Sequence, residues 1–184
     1  MQQRANGSPC DTSAGLLAGR PGGVTPYYQD DLVTIYHGDC REWMPEADVL
    51  VTDPPYGIEA AKSGAHSSIR DNGRWPASSW DDQRQPDALG RAFSQCGAAA
   101  VWGGNFYADV LPVSSGWLVW VKPEAGSGFS LADAELCWTS RQMGVRVRRA
   151  PRRDGGLHPT QKPETVMAWT IGFMPSGLVL DPFM

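Results

Sequence analysis

With 184 residues, 41% hydrophobic and 20% charged, the chain is long enough to bury the core of one domain and too apolar to remain disordered. No apolar run approaches the roughly 20 residues of a membrane-spanning helix, and no apolar core follows a basic start as in a secretory leader. The net charge of −4 does not mark a nucleic-acid binder. The scattered cysteines (Cys10, Cys40, Cys96, Cys137) form neither a metal-ligand pair nor a disulfide framework, so reduced thiols in a cytoplasmic protein are expected.

Residues 1–24, rich in Gly, Ser, Ala and Pro without periodicity, read as a disordered leader, and one folded domain is expected over 25–184. The β-branched run Leu32–Tyr36 predicts a strand, and Asp39 a cap on a short helix through Met44. Asp48–Thr52 predicts a buried parallel strand ending directly at Asp53. Residues 57–85 are polar, glycine-containing and too long for an ordinary connection, which points to a functional loop. Leu89, Ala92, Phe93 and Cys96 then follow helical spacing behind Pro86, with Gly97 as the stop.

Strands are expected at Ala98–Trp102, Trp117–Val121 and Ala134–Trp138. Six arginines without an acid fall between Arg141 and Arg153, a stripe that either neutralises phosphates or is a solvated, mobile loop. Pro163 opens a helix with Val166, Met167, Thr170, Ile171 and Met174 inward, stopped by Pro175-Ser176-Gly177. Leu178-Val179-Leu180 leads into Asp181-Pro182-Phe183-Met184. Strands alternating with helices predict an α/β fold with a mostly parallel sheet and ligands at the strands' carboxyl ends, where both Asp-Pro motifs fall.

The tetrapeptide Asp53-Pro54-Pro55-Tyr56 at a strand's exit carries the most chemistry. Its plain reading is a turn, since Asp and Pro are common turn formers. A chance match to these four letters is about one in a thousand from average residue usage. An exocyclic amine on adenine or cytosine is a poor nucleophile, because its lone pair is delocalised into the ring. An ionised Asp53 accepting one amino hydrogen, and the Pro54 carbonyl accepting the other, would favour a pyramidal nitrogen with its lone pair free. Pro55 helps fix the turn, and Tyr56 offers a flat face for an extruded base.

The run Tyr36-His37-Gly38-Asp39-Cys40 through Val51 to Gly57 resembles site-specific DNA amino-methyltransferases of the N4-cytosine/N6-adenine class. The likeness extends through Trp102–Asn105, Gly116–Trp120, Ala134–Thr139, His158–Pro163 and Leu180–Met184. The catalytic tetrapeptide precedes the cofactor motif, as in the permuted, beta-type members. The resemblance implies a Rossmann-like sheet, S-adenosyl-L-methionine as methyl donor and double-stranded DNA as partner. Asp53, Pro54, Pro55 and Tyr56 are implied to be catalytic. Asp181 and Phe183 are implied to open the cofactor loop, Thr160, Gln161 and Lys162 to pack beside the cofactor's methionine end, and Asp39 to lie near its adenine. Without the resemblance, Thr160 and Gln161 read as helix caps, Lys162 as a solvated charge and Asp39 as a cap.

By the tendency of the family it resembles, Asp at the head of the tetrapeptide implies adenine N6 over cytosine N4, and DNA contacts are expected from the loops at 57–85 and 141–157. The family pattern continues beyond Asp181–Met184 with closely spaced glycines and a strand bearing an acid for the ribose. The expectation is therefore a sheet short of one strand and one helix, and a 184-residue chain that alone binds S-adenosylmethionine poorly and is inactive. Methylation of RNA or of a protein glutamine, and a non-catalytic nucleic-acid-binding remnant, are the competing readings.

Overall fold

The computed structural model describes residues 25–58, 81–123, 132–151 and 161–183. The leader at 1–24, Thr160, most of the 57–85 loop and the end of the 141–157 segment lie outside these residues. The chain divides into two units, Met1–Glu46 and Ala47–Met184.

In the first unit, β1 (Tyr28–Gln29) pairs antiparallel with β2 (Thr34–Ile35). The Asp30 carboxylate closes their turn by accepting the backbone N–H groups of Leu32 and Val33 at 2.8 and 2.7 Å. The expected strand over Leu32–Tyr36 is thus shortened to two residues. The expected helix from Asp39 does not form; residues 40–42 make turns before Pro45. Asp39 caps only locally, accepting the Arg41 backbone N–H and pairing with its guanidinium at 2.5 Å. That pairing, led by the side-chain hydrogen bond, lowers the Asp39 carboxyl to about 2.

The second unit is α/β, built on a six-stranded mixed sheet. Its strands are β3 (Ala47–Thr52), β4 (Cys96–Trp102), β5 (Trp117–Val121), β6 (Ala134–Thr139), β7 (Val145–Arg149) and β8 (Val179–Leu180), in the order β7-β5-β6-β4-β3-β8. Three pairings are parallel: β3 with β4, β3 with β8, and β5 with β7. β6 runs antiparallel to both neighbours, β4 and β5. An antiparallel neighbour, such as β6 beside β5, needs no crossover helix.

Among the described residues two α-helices accompany these strands. In α1 (Pro86–Ser94), Pro86 occupies the first turn and Ala88, Leu89 and Ala92 are buried. The helix ends at Gln95, not at Gly97, because Cys96 already pairs with Ala47 in the sheet. In α2 (Glu164–Ile171), Pro163 is the cap whose carbonyl accepts from Val166 and Met167. Gly172 ends it earlier than the Pro175-Ser176-Gly177 stop. Val166 and Thr170 form the buried face as expected, whereas Ile171 is exposed.

Alternation along the strands divides the core in two. Val49, Val51, Ala100, Trp102, Leu118, Trp120 and Cys137 cluster with Val166 of α2. Leu50, Val101 and Trp138 take the other face, where Phe93 of α1 meets the Trp138 ring edge-on at 5.7 Å. Cys137 is a small buried core residue as expected, while Cys96 is only half-buried.

The arginine stripe corrects the loop reading. Val145–Arg149 is an edge strand in register with β5, so its arginines do not form one surface. Arg146 and Arg148 lie opposite Leu118 and Trp120 on the α2 side, and Arg149 falls opposite Val121 on the other. Among the described residues no helix is long and apolar enough to cross a membrane.

Candidate active site

β3 and β8 are adjacent and parallel, so their carboxyl ends bring Asp53 and Asp181 to the same edge of the sheet. Thr52, the last residue of β3, ties them by donating its hydroxyl to Asp181 Oδ1 at 2.6 Å. The Phe183 backbone N–H also goes to Asp181 Oδ1, at 3.2 Å. Burial, with a contribution from the nearby Asp53 charge, outweighs these donors and raises the Asp181 pKa above the ordinary aspartate range.

Beyond Thr52 the chain turns through the tetrapeptide, and two outside groups hold that turn. The buried Asp81 carboxylate accepts the backbone N–H groups of Tyr56 and Gly57 at 2.6 and 3.0 Å. Tyr107 donates its hydroxyl to the Pro55 carbonyl at 2.5 Å and accepts the Gln85 N–H at 3.1 Å. Arg84 pairs with Asp109 and donates to the Phe106 carbonyl, tightening the 3₁₀ turn Gly104–Tyr107. The described end of the 57–85 loop, Asp81–Gln85, therefore braces the tetrapeptide.

The Tyr56 ring lies nearly parallel to Phe106, with centroids 4.7 Å apart and planes 16° from parallel. It also covers Gly103, where a Cβ would meet Tyr56 Cε1 at 2.0 Å and where φ is +66°. Both the backbone conformation and the close approach require glycine in Trp102-Gly103-Gly104-Asn105.

Asp53 is held by two donors. Tyr56 donates its hydroxyl to Oδ1 at 2.5 Å, and Lys162 donates its ammonium to Oδ2 at 2.6 Å. Lys162 also reaches the Tyr56 hydroxyl at 3.2 Å and Glu135 Oε2 at 3.0 Å, and Glu135 Oε1 is 2.8 Å from Lys122. Burial works against the Lys162 charge, but Asp53, Tyr56 and Glu135 outweigh it and hold the ammonium above its ordinary pKa. Burial works against the Glu135 charge as well, and Lys162 and Lys122 outweigh it, leaving its pKa below the usual glutamate range. Burial is also the main cause that raises the Tyr56 pKa, so its hydroxyl stays a neutral donor.

Of the residues named from sequence, Asp53, Tyr56, Lys162 and Asp181 come together, with Pro54 buried and Pro55 half-buried in the turn. Phe183 is half-buried beside Asp181 and Gln161 is exposed. Asp39 belongs to the first unit. Lys162 is spent on Asp53 and Glu135 and is not a solvated charge. Sequence reasoning missed Glu135, Lys122, Asp81, Phe106 and Tyr107 as parts of the site. One signal was available: the chain's lysines are Lys62, Lys122 and Lys162 against many arginines, and Glu135 is an acid inside an otherwise apolar strand.

The sheet and its strand-end site define an α/β protein with a carboxylate–lysine–tyrosine centre at the carboxyl ends of parallel strands. No protein-family model, no curated protein and no solved structure matches the chain.

Proposed function

We propose that the chain carries the base-binding site of a DNA amino-methyltransferase with a Rossmann-like sheet, acting on the N6 amine of a flipped adenine. The observation that carries this reading is the Asp53 carboxylate beside a π-stacked Tyr56, on a braced turn at the end of a buried parallel strand. Ligands of open α/β sheets bind at such strand ends. Asp53 accepts one amino hydrogen of the base, the Pro54 carbonyl accepts the other, and the freed lone pair makes the nitrogen nucleophilic. Asp81 and Tyr107 hold the turn that carries these acceptors.

The residues fit S-adenosylmethionine at Asp181. Both described hydrogen bonds to that carboxylate fall on Oδ1, leaving Oδ2 for an ammonium or hydroxyl of the cofactor. The buried indole N–H of Trp102, at the end of neighbouring β4, also has no hydrogen-bond partner among the described residues. When bound, the cofactor supplies the methyl group from a sulfonium centre. Asp181 and Phe183 would hold it, whereas Lys162 serves Asp53. The exposed arginines of β7 suit phosphate contact.

The test supplies methyl-labelled S-adenosylmethionine and unmodified DNA to the gene product carrying this chain, then resolves the digested nucleosides. Labelled N6-methyladenine, absent with Asp53→Ala, is expected. Label in N4-methylcytosine would move the target base, and label confined to RNA or to protein glutamine would remove DNA as substrate. No label anywhere would favour nucleic-acid binding without catalysis.

A further inference from the structure

Lys122, Glu135, Lys162 and Asp53 form a row of alternating charge, with successive separations of 2.8, 3.0 and 2.6 Å. Four elements supply it: Lys122 follows β5, Glu135 lies at the start of β6, Asp53 follows β3 and Lys162 precedes α2. The register places Glu135 opposite Trp120, so Lys122, two residues beyond Trp120, reaches it diagonally. The two lysines are the most buried members, with side chains 8% and 7% exposed, and Asp53, at 33%, is the most open. Lys162 further lies 5.3 Å from the Trp102 ring and Lys122 lies 5.4 Å from the Trp120 ring.

Such a row is a poor device for stability alone, because well-packed apolar residues of similar volume are often as stable as a buried ion pair. Its arrangement answers a different need. Both oxygens of Asp53 are occupied, one by Tyr56 and one by Lys162. A substrate amine arriving at Asp53 therefore meets oxygens that already hold a donor, and shares or displaces it. Lys162 has a second carboxylate within reach, so its ammonium can yield Asp53 and remain paired. Lys122 keeps that second carboxylate ionised and in position.

We propose that Lys162 is an exchangeable counter-ion, moving from Asp53 towards Glu135 when an exocyclic amine arrives, with Glu135 and Lys122 as the positioning residues that make the exchange possible. This rests on the amine-methylating reading above. The exchange breaks no covalent bond and transfers no proton; Asp53 accepts an amine hydrogen in place of a lysine one. Without Glu135, Asp53 is the one carboxylate among the described residues left within ion-pair distance of Lys162, which then competes with the amine for it.

The three lysines make the test direct, since ¹⁵N-lysine labelling yields an ammonium spectrum in which Lys122→Arg distinguishes Lys122 from Lys162. Asp53→Asn supplies the reference position of Lys162 paired with Glu135. The probes are an adenine-rich single-stranded oligonucleotide and its counterpart with purine, which lacks the 6-amino group, in place of adenine. The Lys162 signal is expected to move towards the Asp53→Asn position with the first probe and not with the second. Glu135→Gln should abolish that movement and, in the gene product carrying this chain, raise the KM for DNA about tenfold, the equivalent of one charge-assisted hydrogen bond, with a smaller change in kcat. If both probes bind and Lys162 stays still, or moves equally with each, the exchange is wrong while the methyltransferase reading stands. If neither binds, that reading falls and the exchange with it. Should a variant fail to fold, titration of the wild-type chain still decides.

Discussion

The ammonium of Lys162 stands 2.6 Å from Asp53 Oδ2, joining residues 109 apart in sequence, and the same ammonium is 3.0 Å from Glu135. Lys162 is thus the link between a tetrapeptide at one strand end and an acid on a strand two places away in the sheet.

Removing that link leaves two carboxylates facing each other with only Lys122 to offset them. Lys162→Met is expected to lower the unfolding free energy by about 3 kcal/mol, the usual scale for orphaning a buried ion-pair partner. Urea unfolding of the two chains measures it. A loss well under about 1 kcal/mol would mean that solvent at the Asp53 end screens the row.

Glu135 and Asp181 should govern stability with opposite dependence on pH. Paired with Lys162 and Lys122, Glu135 has its folded pKa below the unfolded one, so its contribution is complete above the ordinary glutamate range and is lost as pH falls through the folded value. Burial puts the folded pKa of Asp181 above the unfolded one, so stability is undiminished below the ordinary aspartate range and declines as pH rises to the folded value. Asp181→Asn should therefore stabilise the chain near pH 7 and lose that advantage in acid, with the Thr52 hydrogen bond retained. Glu135→Gln should destabilise near pH 7 and lose that penalty in acid. Unfolding free energies at about pH 3 and pH 7 separate the two; the same sign for both at neutral pH would contradict the assignment.

Gly103 combines a left-handed backbone with the Tyr56 ring in van der Waals contact. Gly103→Ala should cost about 2 kcal/mol or more, because the new methyl is strained and must push Tyr56 away from Phe106. Gly38, where a Cβ would meet nothing within 4 Å, is the control, with an expected effect near zero for Gly38→Ala. Thermal unfolding and the near-ultraviolet signal of the tyrosine together report both effects. Equal shifts in the two variants would leave the close approach unsupported.

The arginines of β7 should divide by face. Arg148 has a buried Nε and lies 5.9 Å from the Trp169 ring, so Arg148→Ala should cost about 1 kcal/mol of stability. Arg149 is exposed on the opposite face, and Arg149→Ala should leave stability unchanged while lowering the salt slope of DNA binding by about one. Fluorescence anisotropy across salt concentrations measures the slope. If Arg149→Ala leaves it unchanged, that side chain makes no phosphate contact.

Much of the sheet was legible because its signal is local. Continuous apolar runs marked β3, β4, β5 and β6, and Asp53 fell where β3 ends. Local signals failed where partners decided the outcome. Val145–Arg149 reads as a charged loop, yet pairing with β5 makes it a strand and splits its arginines between faces. Asp39 has the chemistry of a helix cap, but Arg41 and the nearby Pro45 leave no helix to cap.

The amino-acid sequence by itself determined the alternation of apolar runs and turns, and the tetrapeptide Asp53-Pro54-Pro55-Tyr56 at the exit of a buried strand, since these depend on residues next to one another in the chain. Only the tertiary structure decided that Lys162 belongs to Asp53, that Glu135 and Lys122 stand behind it, and that Asp81 and Tyr107 brace the turn. Those relations depend on sheet order and register, which bring distant side chains within hydrogen-bond range and remove them from water. Burial then strengthens each charge's dependence on its partner, a property that no single segment possesses alone.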